Sequence, residues 1–169
     1  MTGISLRPVR ASDHDVLISV LQPVFAAGDT YAFDTDMTRD GTLAKWRDGH
    51  DVFVAETTDG DSPQILGSYY ICANQSGGGS HVCNCGFVTA PAARGKGVAR
   101  LMLEHALQTA RDQGFRAMQF NFVVSTNTRA ISIWQDYGFD VVGRLPGAFR
   151  HPSEGYVDAL VMYRDLTKP

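Results

Sequence analysis

Between His81 and Gln113 the chain changes its hydrophobic period once, at a turn that holds two glycines. His81 to Thr89 reads as a strand and Pro91 helps to end it. Val98 to Gln113 then carries Leu101, Met102, Ala106, Leu107 and Ala110 at helical spacing, up to a stop at Gly114. The junction between them is Arg94-Gly95-Lys96-Gly97-Val98-Ala99. A helix start leaves backbone N–H groups without partners and carries the positive end of the helix dipole. Glycines let the backbone approach a ligand closely, and Arg94, Lys96 and Arg100 add positive charge, so this order makes an anion site. Glycine turns also open ordinary helices. The junction lacks the GK[ST] ending of a Walker loop and the GxGxxG spacing of a dinucleotide fold.

Other segments alternate strand and helix around this junction. Ile4 to Arg10 reads as a strand, and Ser12-Asp13 as a cap for a helix with Val16, Leu17, Val20, Leu21 and Val24 on its apolar stripe. Gly28 to Met37 has neither period and reads as a loop, followed by a short helix over Arg39 to Asp48. Val52 to Thr57 and Ile65 to Ala73 suggest a hairpin about the turn Asp59-Gly60-Asp61-Ser62-Pro63. Gln75 to Ser80, with three glycines but no helix after it, reads as a flexible strand connection. Ala117 to Val124 is a strand, Asn127 to Tyr137 a helix stopped by Gly138, and Phe139 to Leu145 and Gly155 to Tyr163 are the last strands, with a loop at Arg144 to Pro152.

Composition narrows the function classes. A chain of 169 residues, 44% hydrophobic and 20% charged, suits a single domain over residues 1–169 that buries roughly 70% of its unfolded surface. A net charge of -3 argues against nucleic acid as a partner. The charged, proline-containing start and the lack of a long apolar run predict a soluble, cytoplasmic protein with no membrane partner. Three cysteines, Cys72, Cys83 and Cys85, are read as reduced thiols. His81, Cys83 and Cys85 share one face of their strand, but no second ligand cluster completes a tetrahedral shell, so no metal is expected.

Arg94-x-x-Gly97-x-Ala99 resembles the [RQ]xxGx[GA] signature of the GCN5-related N-acetyltransferases (GNAT superfamily). The opening β-α-α-β order, the Asn127-x-x-Ala130 helix start and the Gly138-Phe139 pair match as well, so the resemblance covers nearly the whole chain. It implies an α/β (α+β) fold: a mixed, mostly antiparallel sheet of about seven strands flanked by about four helices, splayed between the fourth and fifth strands. It also implies acetyl-coenzyme A as co-substrate, an amine as acceptor and room for a homodimer. By similarity, Phe87, Val88 and Thr89 line the acyl arm, Arg94, Gly95, Lys96, Gly97, Val98, Ala99 and Arg100 hold the pyrophosphate, and Asn127 reaches the cofactor.

Acetyl transfer needs a neutral amine, a donor for the carbonyl oxyanion and a proton for the leaving thiolate. Many relatives supply that proton from a tyrosine on the helix after the fifth strand, whereas the aligned residue here is Trp134, whose indole cannot. Tyr137 lies further along that helix and reads as packing. The fourth strand has no Asp or Glu to act as a base and offers Asn84 instead, while Asn121 interrupts an apolar run in the fifth. Buried amides need partners; each can satisfy a strand irregularity at the splay or orient a substrate, and the second role is assigned to both as catalytic residues. Asn84, Asn121 and Asn127 resemble the branch with fungal N-acetyltransferases of azetidine-2-carboxylate and other proline analogues. An α-amine of pKa about 8 needs only ~1.4 kcal/mol to be neutral at pH 7, against about 4–5 kcal/mol for an alkyl amine, so an amino-acid-like acceptor can dispense with a dedicated base. The oxyanion donor expected is a backbone N–H at Phe87 or Val88, and Tyr31, Phe33, Arg150 and His151 are expected to hold the acceptor. The missing tyrosine and carboxylate also suit a non-catalytic module that senses acyl-coenzyme A.

Overall fold

The structure, a computed structural model, describes residues 3–58 and 62–168. The expected turn at Asp59, Gly60 and Asp61 lies outside the described residues. Strands β1 (Ile4–Pro8), β2 (Asp51–Thr57), β3 (Ile65–Ala73), β4 (Val82–Thr89), β5 (Ala117–Val124), β6 (Asp140–His151) and β7 (Gly155–Asp165) form one sheet. Helices α1 (His14–Ala27), α2 (Arg39–Arg47), α3 (Val98–Asp112) and α4 (Thr128–Asp136) cover it. Among the described residues the sheet has seven strands in the order β1-β2-β3-β4-β5-β7-β6, antiparallel throughout except at β4–β5. The fold implied by the family signature is therefore present.

The strands alternate their side chains between two apolar layers. On one face Leu17, Leu21 and Phe25 of α1 and Trp46 of α2 pack over Val52 and Val88. On the other, Met102, Leu103 and Leu107 of α3 and Trp134 of α4 pack over Tyr69, Ile71, Met118, Phe120 and Met162. Cys83 and Cys85 are buried in this second layer, and burial raises the Cys85 thiol well above its ordinary pKa, which keeps it protonated. Among the described residues no group of His, Cys, Asp and Glu is arranged to hold a metal, and no helix is long and apolar enough to cross a membrane. Val16, expected on the apolar stripe of α1, is 48% exposed; Ile18 and Phe25 are buried in that helix.

Two of the sheet's irregularities bear on the cleft. β4 and β5 pair in register only at Val82–Ala117 and Cys83–Met118, near their first residues, and diverge beyond. Against β7, β5 steps from Phe120–Met162 to Val123–Leu160, so Asn121 and Phe122 stand opposite Val161 alone. Such a bulge bends its strand and increases the local twist, which carries β5 away from β4. The second lies where Arg144 to Pro152 reads as a loop. β6 instead continues to His151, with Pro146, Gly147 and Ala148 in a register shift between Leu145 and Phe149. β6 lies at the sheet edge, where proline's missing N–H is tolerated. Asp158 of β7 clamps the shift, accepting from Gly147 N at 2.9 Å and Arg144 Nη1 at 2.7 Å.

Candidate active site

The opening between β4 and β5 leads into a cavity of about 940 Å³ that runs from the start of α3 to the Gly28–Met37 loop and the end of β6. At the α3 end, Gly97 is the N-cap, in the left-handed region at φ +80°, and a Cβ there would meet nothing within 4 Å. Glycine is thus required by backbone conformation and not by space. The first helical bond runs from Leu101 N to Gly97 O at 3.1 Å, so the amides of Val98, Ala99 and Arg100 precede it as the donors that a helix start leaves over. Arg94, Gly95, Gly97, Val98, Ala99 and Arg100 all line the cavity; Lys96 does not. Arg100 is held by Asp136 of α4 at 2.7 Å. Asn127 caps α4 by accepting from Ala130 N at 3.4 Å and lines the cavity beside Arg129, a cation at the start of α4 that no motif had marked.

The middle of the cavity is the free edge of β4. Ala90 N donates to Leu66 O at 2.8 Å, and alternate residues of a strand direct their backbone groups to the same side. Val88 accordingly faces β3, with Ser68 as its register partner, and Phe87 faces the opening. Of the two expected oxyanion donors, only Phe87 N is directed into the cavity. Phe87 N donates to the Tyr31 hydroxyl at 2.8 Å, and that hydroxyl donates to Phe87 O at 2.9 Å. Burial raises the Tyr31 hydroxyl far above its ordinary pKa, so it stays neutral. Trp134 packs on Phe87 and Phe120 with ring centroids 5.1 Å away, and serves as a wall of the cavity. Tyr137 donates to Glu104 of α3 and stands outside the lining.

At the far end the cavity is lined by Asn84, Asn121, Tyr31, Phe33 and His151. Asn84 Nδ2 donates to Gln119 O at 2.9 Å, a strut across the splay, and its Oδ1 accepts from the Tyr70 hydroxyl at 3.3 Å. Tyr70 had carried no sequence signal. It fits because Gly86 lies opposite on β4, where a Cβ would overlap its ring, and His50 stacks on it at 4.1 Å between centroids. Asn121 Nδ2 donates to Asn74 Oδ1 at 2.6 Å, and its Oδ1 accepts from Gln119 Nε2 at 2.9 Å. Arg150, expected to hold the acceptor, lies outside the lining. With the segment in β6 instead of a loop, alternation sends Arg150 and His151 to opposite faces. His151 Nδ1 accepts from Ser153 N and Glu154 N, each at 3.3 Å, and Glu154 lines the cavity next to it. Tyr156 is 75% exposed, away from the cavity.

Residues 19–139 match the model of the acetyltransferase (GNAT) family, more than half of the chain. The chain belongs to the acetyltransferase (GNAT) family. In keeping with this membership it is similar to a GCN5-related N-acetyltransferase from Kribbella flavida, with a TM-score of 0.90 and 37% identity over 96% of this chain and 97% of that one. The N-acetyltransferase aca1 of Schizosaccharomyces pombe is 39% identical over 98 residues, 57% of this chain and 47% of that protein. The chain thus spans about half the length of this relative. The fold of yncA from Salmonella typhimurium, solved with its cofactor acetyl-CoA, is alike at a TM-score of 0.82 and 20% identity, over 98% of this chain and 95% of that one. Within this GNAT chain the family signature falls on the start of α3 and on the rim of the cavity.

Proposed function

We propose that the chain transfers the acetyl group of acetyl-coenzyme A to the amine of a small molecule, an amino acid or a proline-like imino acid, by direct attack in a ternary complex. The observation that carries this reading is continuity: one cavity joins the amides at the start of α3, the free edge of β4 and the side-chain amides of Asn84 and Asn121. Acetyl-coenzyme A would supply the activated thioester. The left-handed Gly95 and Gly97, the first amides of α3 and the cations Arg94, Arg100 and Arg129 fit its pyrophosphate. The edge of β4 fits its amide-bearing arm, as an added strand would fit. Phe87 N, whose side of β4 faces the cavity, would be the donor for the developing oxyanion.

Asn84 and Asn121 would orient the acceptor, since each amide keeps hydrogen-bonding capacity beyond the bonds already made. An α-amino or imino group loses its proton readily enough near neutral pH that no carboxylate base is demanded. The resemblance of Asn84, Asn121 and Asn127 to the branch with fungal N-acetyltransferases of proline analogues supports this acceptor class over a protein substrate. Three unpaired cysteines are in keeping with the reducing cytoplasm as the place of action. Thiol release from acetyl-coenzyme A, followed across amino acids, proline analogues and alkyl amines, tests the proposal. The expected result is turnover with the first two groups, and background rates across the panel with a chain that binds acetyl-coenzyme A would reject it.

A further inference from the structure

The Tyr31 hydroxyl accepts from Phe87 N and donates to Phe87 O. One oxygen therefore makes, on the opening side of β4, both backbone bonds that an added strand would make. In bound acetyl-coenzyme A the thioester carbonyl would need the Phe87 N–H and the arm's amide the Phe87 carbonyl, and Phe87 N has one hydrogen to give. Both occupants cannot hold it together. Tyr31 is anchored on its own side of the cavity, stacked on Phe33 with centroids 5.0 Å apart and edge-on to Phe25 at 5.5 Å. In the loop around it Ala32, Asp34, Thr35 and Asp36 are exposed, while Tyr31, Phe33 and Met37 pack on the α1–α2 core, so lifting the hydroxyl from Phe87 needs only a shift of the Tyr31 ring and not opening of the loop.

We infer that the Tyr31 hydroxyl is a displaceable stand-in for the acyl donor, so that acetyl-coenzyme A binding lifts Tyr31 from Phe87 and reshapes the acceptor end of the cavity, which Tyr31 also lines. This rests on the acetyl-coenzyme A reading of the cleft. Because Tyr31 and Phe33 also line the acceptor end, the exchange couples the two substrates: donor binding prepares the acceptor site, and the coupling is reciprocal.

Tyr31→Phe keeps the ring and its contacts and removes only the competing hydroxyl. Titration calorimetry with acetyl-coenzyme A should show about 3- to 10-fold tighter binding than the wild type, the range expected when one net hydrogen bond no longer opposes binding. Unchanged or weaker binding by a variant that melts like the wild type overturns the inference. The amide of Phe87 in the wild type gives a second readout should the variant fold poorly: its NMR resonance must shift on saturation with acetyl-coenzyme A, and a resonance that stays in place overturns the stand-in role. No binding by the wild type would instead remove the acetyl-coenzyme A reading, and this inference with it.

Discussion

The bonds of Asn84 bear on both roles that its sequence position suggests. A side-chain amide has two N–H groups and two carbonyl lone pairs, and here one N–H spans the splay to Gln119 O while one lone pair takes the Tyr70 hydroxyl. The bonding supports a strand irregularity and still leaves a donor and an acceptor for a ligand. Asn121 sits on the bulge that opens the cleft, so its own placement follows from the feature it lines. For Asn84→Ala and Asn121→Ala we expect kcat/KM to fall about 10- to 100-fold, the effect of losing one or two hydrogen bonds to a bound group. The Kd for acetyl-coenzyme A should stay within about 2-fold, because in the proposed complex the start of α3 and the β4 backbone from Phe87 onward hold the cofactor, not these two side chains; steady-state kinetics beside calorimetry decides this. Full activity in both variants would remove them from the acceptor site.

The start of α3 tests a different kind of requirement. At Gly97 a methyl group has room, but an L-residue in the left-handed region costs about 1–2 kcal/mol, and the backbone would relax away from φ +80° and re-aim the amides that follow. Gly97→Ala should therefore weaken acetyl-coenzyme A binding about 10-fold or more, while kcat at saturating donor stays near the wild-type value. A variant with wild-type Kd and reduced kcat would place Gly97 in the chemistry and not in binding. In β6 the same local logic misleads. Pro146 and Gly147 are loop residues by propensity, and only the edge position and the Asp158 clamp keep them within a strand.

Across the sheet, β1, the start of α1 and β2 are tied by Arg7, which bonds Asp13 at 2.7 and 3.0 Å and Glu56 at 2.7 Å. Bonding to Arg7 holds both carboxyls below their ordinary pKa. A folded-state pKa below the unfolded values, near 3.9 for Asp and 4.3 for Glu, means stability that is present above about pH 4 and lost as pH falls through the folded values. His105 adds to the loss at a higher pH: burial lowers its pKa, so its contribution is present above about 6.5 and declines below. Asp13→Asn removes one charge and leaves Arg7, 16% exposed, with Glu56 alone. It should cost about 2–4 kcal/mol at pH 7, somewhat less than for a fully buried pair, and flatten the acid side of the stability curve. Urea unfolding between pH 3 and 7 checks both, and an acid limb as steep as that of the wild type would assign the loss to other carboxylates.

What could be read from the order of residues alone was everything governed by near neighbours. The alternation of periods marked the strands and helices, the glycine junction at Arg94 to Ala99 marked a helix start and a family, and Asn84 and Asn121 marked residues that line the cleft. Tertiary structure alone decided which groups meet. Tyr31 reaches Phe87 across 56 positions, Tyr70 finds Asn84 because Gly86 leaves space for its ring, and Arg150 turns out of the cavity while His151 turns in. Each of these depends on bulges and on strand register, where a shift of one residue exchanges the two faces of a strand, and such shifts are set by packing between distant segments.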